Sequence, residues 1–206
     1  MCKISIAMKT NHKTKLFSYS EYIDFISILF KEGKVTGNFQ SEALLSTTKM
    51  NIHRMNRIHK TAKLESELQI VLQEIKQKMI WYVIIESWCG DASQILPFLD
   101  KMASHSANIE LKLLLRDDNP EIMDAYTTNG ARAVPKLICV DALTDEDLKI
   151  WGPRPKKIQD MVYAYKKENP DMEKIKFGNN LHSWYAKDRG RALQKEFIEM
   201  FVEQHV

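Results

Sequence analysis

The chain has 206 residues, of which 44% are hydrophobic and 28% are charged, and its formal net charge at pH 7 is +3. This size fits one elaborated domain, and the composition excludes a disordered, collagenous or low-complexity protein. The charge is too small to indicate a nucleic-acid partner by itself, and no apolar run reaches the length of about 18 residues that a membrane-spanning helix needs.

Helical periodicity dominates the first part of the chain. Apolar residues at every third or fourth position predict a helix over 19–31, with Ser20 as its N-cap and Gly33 just beyond its end. The same pattern predicts a second helix over 41–63 and a third over 64–78. The first 79 residues are therefore predicted to form a helical N-terminal extension.

The second predicted helix carries a basic face. This basic face consists of Lys49, His53, Arg57 and Lys60, which lie opposite the apolar stripe of the helix. No acidic residue occurs between Glu42 and Glu65, so the positive charge is not balanced locally. The basic face is either an ordinary solvated surface or a docking surface for an acidic partner, a phosphate or RNA.

The pattern changes at residue 80. A continuous apolar run over 80–85 predicts a strand that is buried on both faces. Further strands are predicted over 109–115, 134–140 and 148–151, and helices over 92–102, 121–126, 155–167 and 182–202. This order predicts a βαβ unit followed by a β-hairpin, and hence an α/β domain.

We predict an α/β domain over 80–168, in which a central mixed sheet of about four strands is flanked by helices. A C-terminal helical extension over 169–206 is expected to pack on the core. Its large apolar and aromatic residues are Trp184, Tyr185, Phe197, Met200 and Phe201. They pack either on the core or on a second copy of the chain, so a homodimer is one of the alternatives.

Cys89 is the main candidate for a functional residue. It follows a predicted buried strand and directly precedes a helix, where free N–H groups and the helix dipole favour an anion such as a thiolate. Cysteines in this setting are the usual reactive ones, with a depressed pKa. The alternative is a packed cysteine that acts as a small hydrophobic residue. Trp88 and Gly90 favour reactivity, because they would provide an aromatic lid and an open backbone approach.

The order of these motifs resembles the thioredoxin superfamily. A strand, the residues at 88–90, a helix, a strand, a helix, a Val-Pro pair at 134–135 and a Trp-Gly pair at 151–152 follow one another as in that superfamily. The resemblance covers about residues 80 to 168. It implies a thioredoxin-like fold for this part of the chain.

The resemblance also implies roles for individual residues. Cys89 matches the nucleophilic cysteine, Trp88 the tryptophan before it, Pro135 the cis-proline opposite it and Gly152 the glycine after the last strand. The loop at 86–92, Glu-Ser-Trp-Cys-Gly-Asp-Ala, is similar to that of a group of bacterial thioredoxin-like proteins. A bacterial source is therefore expected.

Three positions depart from the family pattern. Ala92 stands where the second cysteine of the C-x-x-C motif would be, Asp91 stands in place of the proline, and Val83 replaces the buried acid. A dithiol cycle needs a resolving thiol whose Cα atom lies within about 7 Å of the first cysteine's Cα. Ala92 cannot supply it, so any thiol exchange is expected to be monothiol.

The two other cysteines are poor candidates for a resolving thiol. Cys139 lies four residues beyond Pro135 on a predicted strand, where a buried core thiol is expected. Cys2 would resolve Cys89 only if the N-terminal segment folded back.

Asp91 has two interpretations. As a carboxylate near the thiol it would raise the pKa of Cys89, while the helix N-terminus would lower it, and the sequence does not determine the sign of the sum. Asp91 is alternatively a plain N-cap of the helix, which is the interpretation we favour from the sequence.

Four other charged residues lie near the predicted site. Glu86 is either a proton acceptor or, as we expect, a salt-bridge partner of Arg116 or Arg132. These two arginines and Arg154 form surface ion pairs or, alternatively, bind a carboxylate such as that of glutathione.

No cofactor or metal is predicted. The six histidines show no zinc-binding spacing, and neither a G-x-G-x-x-G nor a Walker A motif occurs. The odd number of cysteines and the lack of an apolar leader indicate a reducing cytoplasm.

The leading hypothesis from the sequence is a cytoplasmic thioredoxin-like protein in which Cys89 forms mixed disulfides with a protein or a low-molecular-weight thiol. The alternative is a redox-inactive binding or adaptor module that uses the basic face and the C-terminal helix as contact surfaces. Nucleic-acid association ranks last, because the basic face lacks interleaved aromatic residues.

Overall fold

The computed structural model describes residues 14–170 and 174–202, with the side chains of 174–176 left out. Cys2, and with it the prediction that this residue resolves Cys89 after a fold-back, lies outside the described residues. Among the described helices, none combines the length and the apolarity needed to cross a membrane.

Three helices precede the first strand: α1 Tyr19–Lys31, α2 Glu42–Thr61 and α3 Ser66–Glu74. The N-cap of α1 is Ser18, so the prediction of Ser20 is wrong. Ser18 caps the helix because Glu21 follows it by three residues, a spacing that permits a capping box. The Ser18 hydroxyl accepts a hydrogen bond from the Glu21 N–H, and the Glu21 carboxylate accepts one from the Ser18 N–H.

The sheet has four strands in the order β2-β1-β3-β4. They are β1 Met79–Ile85, β2 Ile109–Leu115, β3 Lys136–Asp141 and β4 Asp147–Trp151. β1 pairs in parallel with β2 and antiparallel with β3, and β4 pairs antiparallel with β3. The predicted α/β fold with a mixed sheet of four strands flanked by helices is confirmed.

The helices between the strands are α4 Gly90–Ala103 and α5 Pro120–Ala125. α4 packs on α2 and β2, so the residues before the sheet share one apolar core with it. The strand β1 is central and almost wholly buried, which explains its unbroken apolar sequence. The division of the chain at residues 79 and 168 stays a prediction.

Three helices follow the sheet: α6 Lys156–Glu168, α7 Lys174–Asp188 and α8 Arg191–Val202. The single helix predicted over 182–202 is wrong, because Arg189 and Gly190 adopt φ angles of 55° and 79° and so separate α7 from α8. In α8, Phe197 and Phe201 are fully buried against Trp81 of β1. These aromatic residues therefore pack on the core of their own chain.

Candidate functional site

Cys89 lies at the start of α4, as its N-cap residue. Its Sγ atom accepts a hydrogen bond from the Ala92 N–H at 3.4 Å. The strand β1 and the turn after it bring Cys89 to this position, and the backbone of the turn is held by the Asn51 amide, which donates to the Ser87 carbonyl at 2.8 Å. Cys89 thus meets the positive end of the helix dipole.

Pro135 lies directly opposite Cys89. The Val134–Pro135 peptide bond is cis, and the Cys89 thiol donates to the Val134 carbonyl oxygen at a distance of 3.2 Å between sulfur and oxygen. Gly152, at the end of β4, approaches the same bend, since a Cβ atom there would lie 2.5 Å from the Pro135 oxygen. The fold therefore brings Cys89, Pro135 and Gly152 together.

The helix α7 covers the Cys89 loop. A Cβ atom on Gly90 would lie 2.8 Å from Cε1 of His182, so glycine is the residue that lets this ring pack on the loop. His182 is also held by Gln94, whose Nε2 lies 3.2 Å from His182 Nδ1. Cys89 is only 8% exposed. The expected open backbone approach at Gly90 is therefore wrong, because His182 occupies it.

Trp88 is fixed beside the site rather than acting as a free lid over it. Its Nε1–H donates to the Thr36 carbonyl at 3.1 Å, and the Arg116 guanidinium lies 4.7 Å from the centre of its ring. These contacts hold Trp88 against the loop before α2 and against the end of β2.

Asp91 does not cap the helix, so the N-cap interpretation is wrong: Cys89 holds that position and Asp91 lies in the first turn. Its carboxylate forms an ion pair with Arg154 at 2.6 Å and accepts from the Tyr185 hydroxyl at 2.8 Å. The Asp91 side chain is 8% exposed. Asp91 therefore connects α4 with the segment after β4 and with α7.

The structure determines the sign of the Cys89 shift that the sequence left open. Burial is the largest cause and the Asp91 carboxylate the second, and together they raise the pKa of Cys89 to about 12. The Ala92 amide and the Arg154 guanidinium oppose this shift without overcoming it. The thiol form of Cys89 is therefore favoured over the thiolate at neutral pH.

Glu86 is buried, and among the described residues it forms no ion pair with an arginine. Its carboxylate accepts hydrogen bonds from the Thr36 hydroxyl and from the Asp117 N–H, and burial raises its pKa. Arg116 pairs with Asp117 and Arg132 with Asp124. The expected salt bridge of Glu86 is therefore wrong, because these arginines find carboxylates that lie closer to their own positions.

Cys139 is a core residue, as predicted. It is fully buried on β3 opposite Trp81, and burial raises its pKa well above the usual thiol range. Within 14–170 and 174–202, no cluster of three or more histidine, cysteine or carboxylate side chains could hold a metal ion.

Several residues that build the site were not predicted from the sequence. Asn51 had a local signal, since it is a polar residue among the buried positions of α2 with Thr48 and Met55. His182 and Tyr185 had none, because they lie 88 and 94 residues from the partners that they contact.

Comparison with known proteins supports the fold. A family model described as Thioredoxin matches residues 37–172. The chain is similar to a 1.5 Å crystal structure of a protein of unknown function from Pseudomonas aeruginosa, with 19% identity, a TM-score of 0.52 and coverage of 92% of this chain and 99% of that one. It is also similar to an HIV epitope-scaffold, with 18% identity, a TM-score of 0.49 and coverage of 89% and 97%. Among curated proteins none matches the chain. At 19% identity, the likeness to the Pseudomonas aeruginosa structure shows the fold alone.

Proposed function

This chain belongs to the thioredoxin family, and we propose that it works as a binding module built on that fold, with Cys89 kept as a protonated thiol. The observation that carries the proposal is the state of the Cys89 thiol. It is 8% exposed, the loop that carries it is covered by α7, and its hydrogen is donated to the Val134 carbonyl.

Thiol-disulfide exchange needs a thiolate with access to a disulfide. A pKa of about 12 removes the thiolate at neutral pH, and His182 and Tyr185 of α7 contact the residues on the C-terminal side of the sulfur, Gly90 and Asp91. Ala92 leaves the loop without a resolving thiol. The site thus has the architecture of the family, but its cysteine is neither ionised nor accessible enough for thiol-disulfide exchange.

The basic face of α2 is the contact surface that we propose. Its four residues are exposed, and in the described part of the chain none of them takes part in an ion pair. The other side of α2 packs on α4, which holds the basic face rigid. A rigid, unpaired positive surface suits an acidic protein partner, because opposite charges steer the encounter and fix its register.

The test is a pull-down without reductant that compares two variants. Cys89→Ser should retain the partners of the wild-type chain, while Lys49→Glu, Arg57→Glu and Lys60→Glu combined should reduce their recovery at least about tenfold. A matched control reverses Lys157, Lys166 and Lys167 on α6, which are exposed and form no ion pair with any described residue. Partners should be released by high salt and not by dithiothreitol. Equal recovery with the two triple variants would contradict the proposal.

The second candidate function is monothiol exchange with a protein disulfide or a low-molecular-weight thiol. The Ala92 N–H that donates to Sγ and the cis bend at Pro135 favour it, because both would face a bound disulfide. Cys89 would first lose its proton to solvent. Its Sγ thiolate would then form a bond to one sulfur of the disulfide, and the other sulfur would leave as a thiolate. The thiolate of an external low-molecular-weight thiol would then attack the partner's sulfur in the mixed disulfide, form a new disulfide with it and release Cys89 as a thiolate.

This exchange requires α7 to withdraw from Gly90 and Asp91. Partners recovered only with the wild-type cysteine, and released by dithiothreitol, would establish it in place of the binding module.

A further inference from the structure

A cavity of about 660 Å³ lies where the end of α2, the middle of α4 and the turn between α7 and α8 meet. Its volume falls within the range of sites for small organic molecules. Apolar side chains of α2, α4 and α8 form part of its wall: Ile58, Ile95, Phe98 and Leu193. Such a wall suits a ligand with an apolar body.

The rim of the cavity is positively charged. Four exposed cationic residues line it: Arg57, Lys63, Arg189 and Arg191. None of the four forms an ion pair within the described residues. Of the two carboxylates on the rim, Asp188 accepts from the Ala192 N–H at the start of α8, and Glu65 is exposed. The cationic groups thus outnumber the carboxylates two to one.

The turn that carries Arg189 is held in an unfavourable conformation. Arg189 has a φ of 55°, in the left-handed region that arginine rarely adopts. Gly190, with a φ of 79°, presses the turn onto α4, where a Cβ atom would lie 2.3 Å from Cζ of Phe98. Strained backbone of this kind concentrates at ligand sites, because the surrounding structure must hold it in place.

Buried polar groups fix the wall. Gln194 is 2% exposed, and its Oε1 accepts from the Glu65 N–H at 2.7 Å. Gln94 and Tyr185 line the cavity while contacting His182 and Asp91, the residues that close over and beside Cys89. The cavity is therefore ordered before any ligand enters.

We propose that this cavity binds a small organic anion that has an apolar body and a phosphate or carboxylate group. The apolar wall would take the body, and the guanidinium groups of Arg189 and Arg191 would take the acidic group, because arginine matches both anions with paired hydrogen bonds. This site goes beyond the proposed function, since it needs neither Cys89 nor an acidic protein partner.

The test is isothermal titration calorimetry on the full chain with three probes that share one apolar body: 1-naphthyl phosphate, 1-naphthoate and neutral 1-naphthol. At least one of the two anions should bind about tenfold or more tightly than 1-naphthol. The anion that binds more tightly identifies the acidic group as phosphate or carboxylate.

The cavity substitutions are chosen to leave the fold and the basic face intact. Arg189→Asn combined with Arg191→Gln should weaken binding of the anion about tenfold or more, and asparagine tolerates the left-handed conformation. Lys63→Gln, on a different segment, should weaken it severalfold. Lys49→Gln, on the basic face and outside the cavity, should leave the affinity unchanged, as should Cys89→Ser.

Equal affinity for 1-naphthol and both anions would overturn the proposal, as would an affinity unchanged by the arginine substitutions or no binding at millimolar probe. Arg57 belongs to both the basic face and the rim of the cavity, and it is not substituted in the calorimetry. A failure of the calorimetric test is therefore distinguishable from a failure of the pull-down on the basic face.

Discussion

Cys89 experiences two opposing effects on its ionisation. The Ala92 N–H at the start of α4 stabilises a thiolate, while burial and the neighbouring Asp91 carboxylate destabilise it. Loss of hydration acts on the whole charge of the thiolate, whereas the helix end contributes only backbone hydrogen bonds from Ala92 and Asp91 and a partial charge. Burial is therefore the larger effect, and a helix N-terminus alone does not make a cysteine reactive.

The pH dependence of thiol modification measures this balance. In a Cys2→Ser background, the reaction of Cys89 with a disulfide reagent should be at least about 100-fold slower at pH 8 than that of free cysteine. Because the pKa is raised to about 12, the thiolate fraction should rise about tenfold per pH unit between pH 7 and 10. The Cys89→Ser variant, also carrying Cys2→Ser, measures how much of the reaction with the reagent is due to Cys139. A plateau of the rate below pH 9 would contradict a raised pKa.

At the scale of elements, Asp91 connects three parts of the fold. It lies in the first turn of α4, pairs with Arg154 after β4, and accepts from Tyr185 of α7. An ion pair at this depth gains little over an apolar contact, but removal of one partner leaves the other charge buried without compensation. Through its hydrogen bond with the Tyr185 hydroxyl, the Asp91 carboxylate therefore keeps α7 in place over the Cys89 loop.

Asp91→Asn should lower the free energy of unfolding by about 3 kcal/mol, because it leaves Arg154 without its carboxylate. In an Arg154→Met background, Asp91→Asn should lower the free energy of unfolding much less. Urea unfolding measures both. Asp124→Asn, which removes the exposed partner of Arg132, is the matched control and should leave the stability unchanged within error. If Asp91→Asn and Asp124→Asn lowered the free energy of unfolding equally, the ion pair between Asp91 and Arg154 would not stabilise the packing of these elements.

At the scale of the whole molecule, the C-terminal helices are part of the core. Phe197 and Phe201 of α8 pack on Trp81 of the central strand, and Trp151 at the end of β4 contacts the Phe197 ring at 5.5 Å between ring centres. Residues from both ends of the chain thus join a single apolar cluster with the sheet. The position of α8 in turn places the turn that bounds the cavity.

Phe197→Ala should reduce the free energy of unfolding by about 4 kcal/mol, since it opens a cavity in this cluster. The same substitution at Phe39, which is 78% exposed, should change it by less than about 0.5 kcal/mol. Urea unfolding of the two variants makes the comparison. Similar losses for the two phenylalanines would mean that α8 is not packed on the sheet as described.

Much of the fold can be predicted from local patterns in the sequence. The strands and most helices were predicted from apolar periodicity and from glycine and proline positions, because those signals act within a few residues. The split between α7 and α8 was not predicted, since a single Gly190 in an otherwise helical pattern is a weak signal until its contact with Phe98 is known. The Ser18 cap was missed although its signal, Glu21 three residues later, was present.

The sequence by itself determined the mixed α/β sheet, the place of Cys89 at the start of a helix and the absence of a second thiol at Ala92. Only the tertiary structure decided that α7 covers the Cys89 loop, that Asp91 pairs with Arg154, and that the pKa of Cys89 rises. The physical reason is that helix dipoles and apolar stripes are set by neighbouring residues. Desolvation and ion pairing depend instead on groups that are remote in the chain and become neighbours only when the core packs.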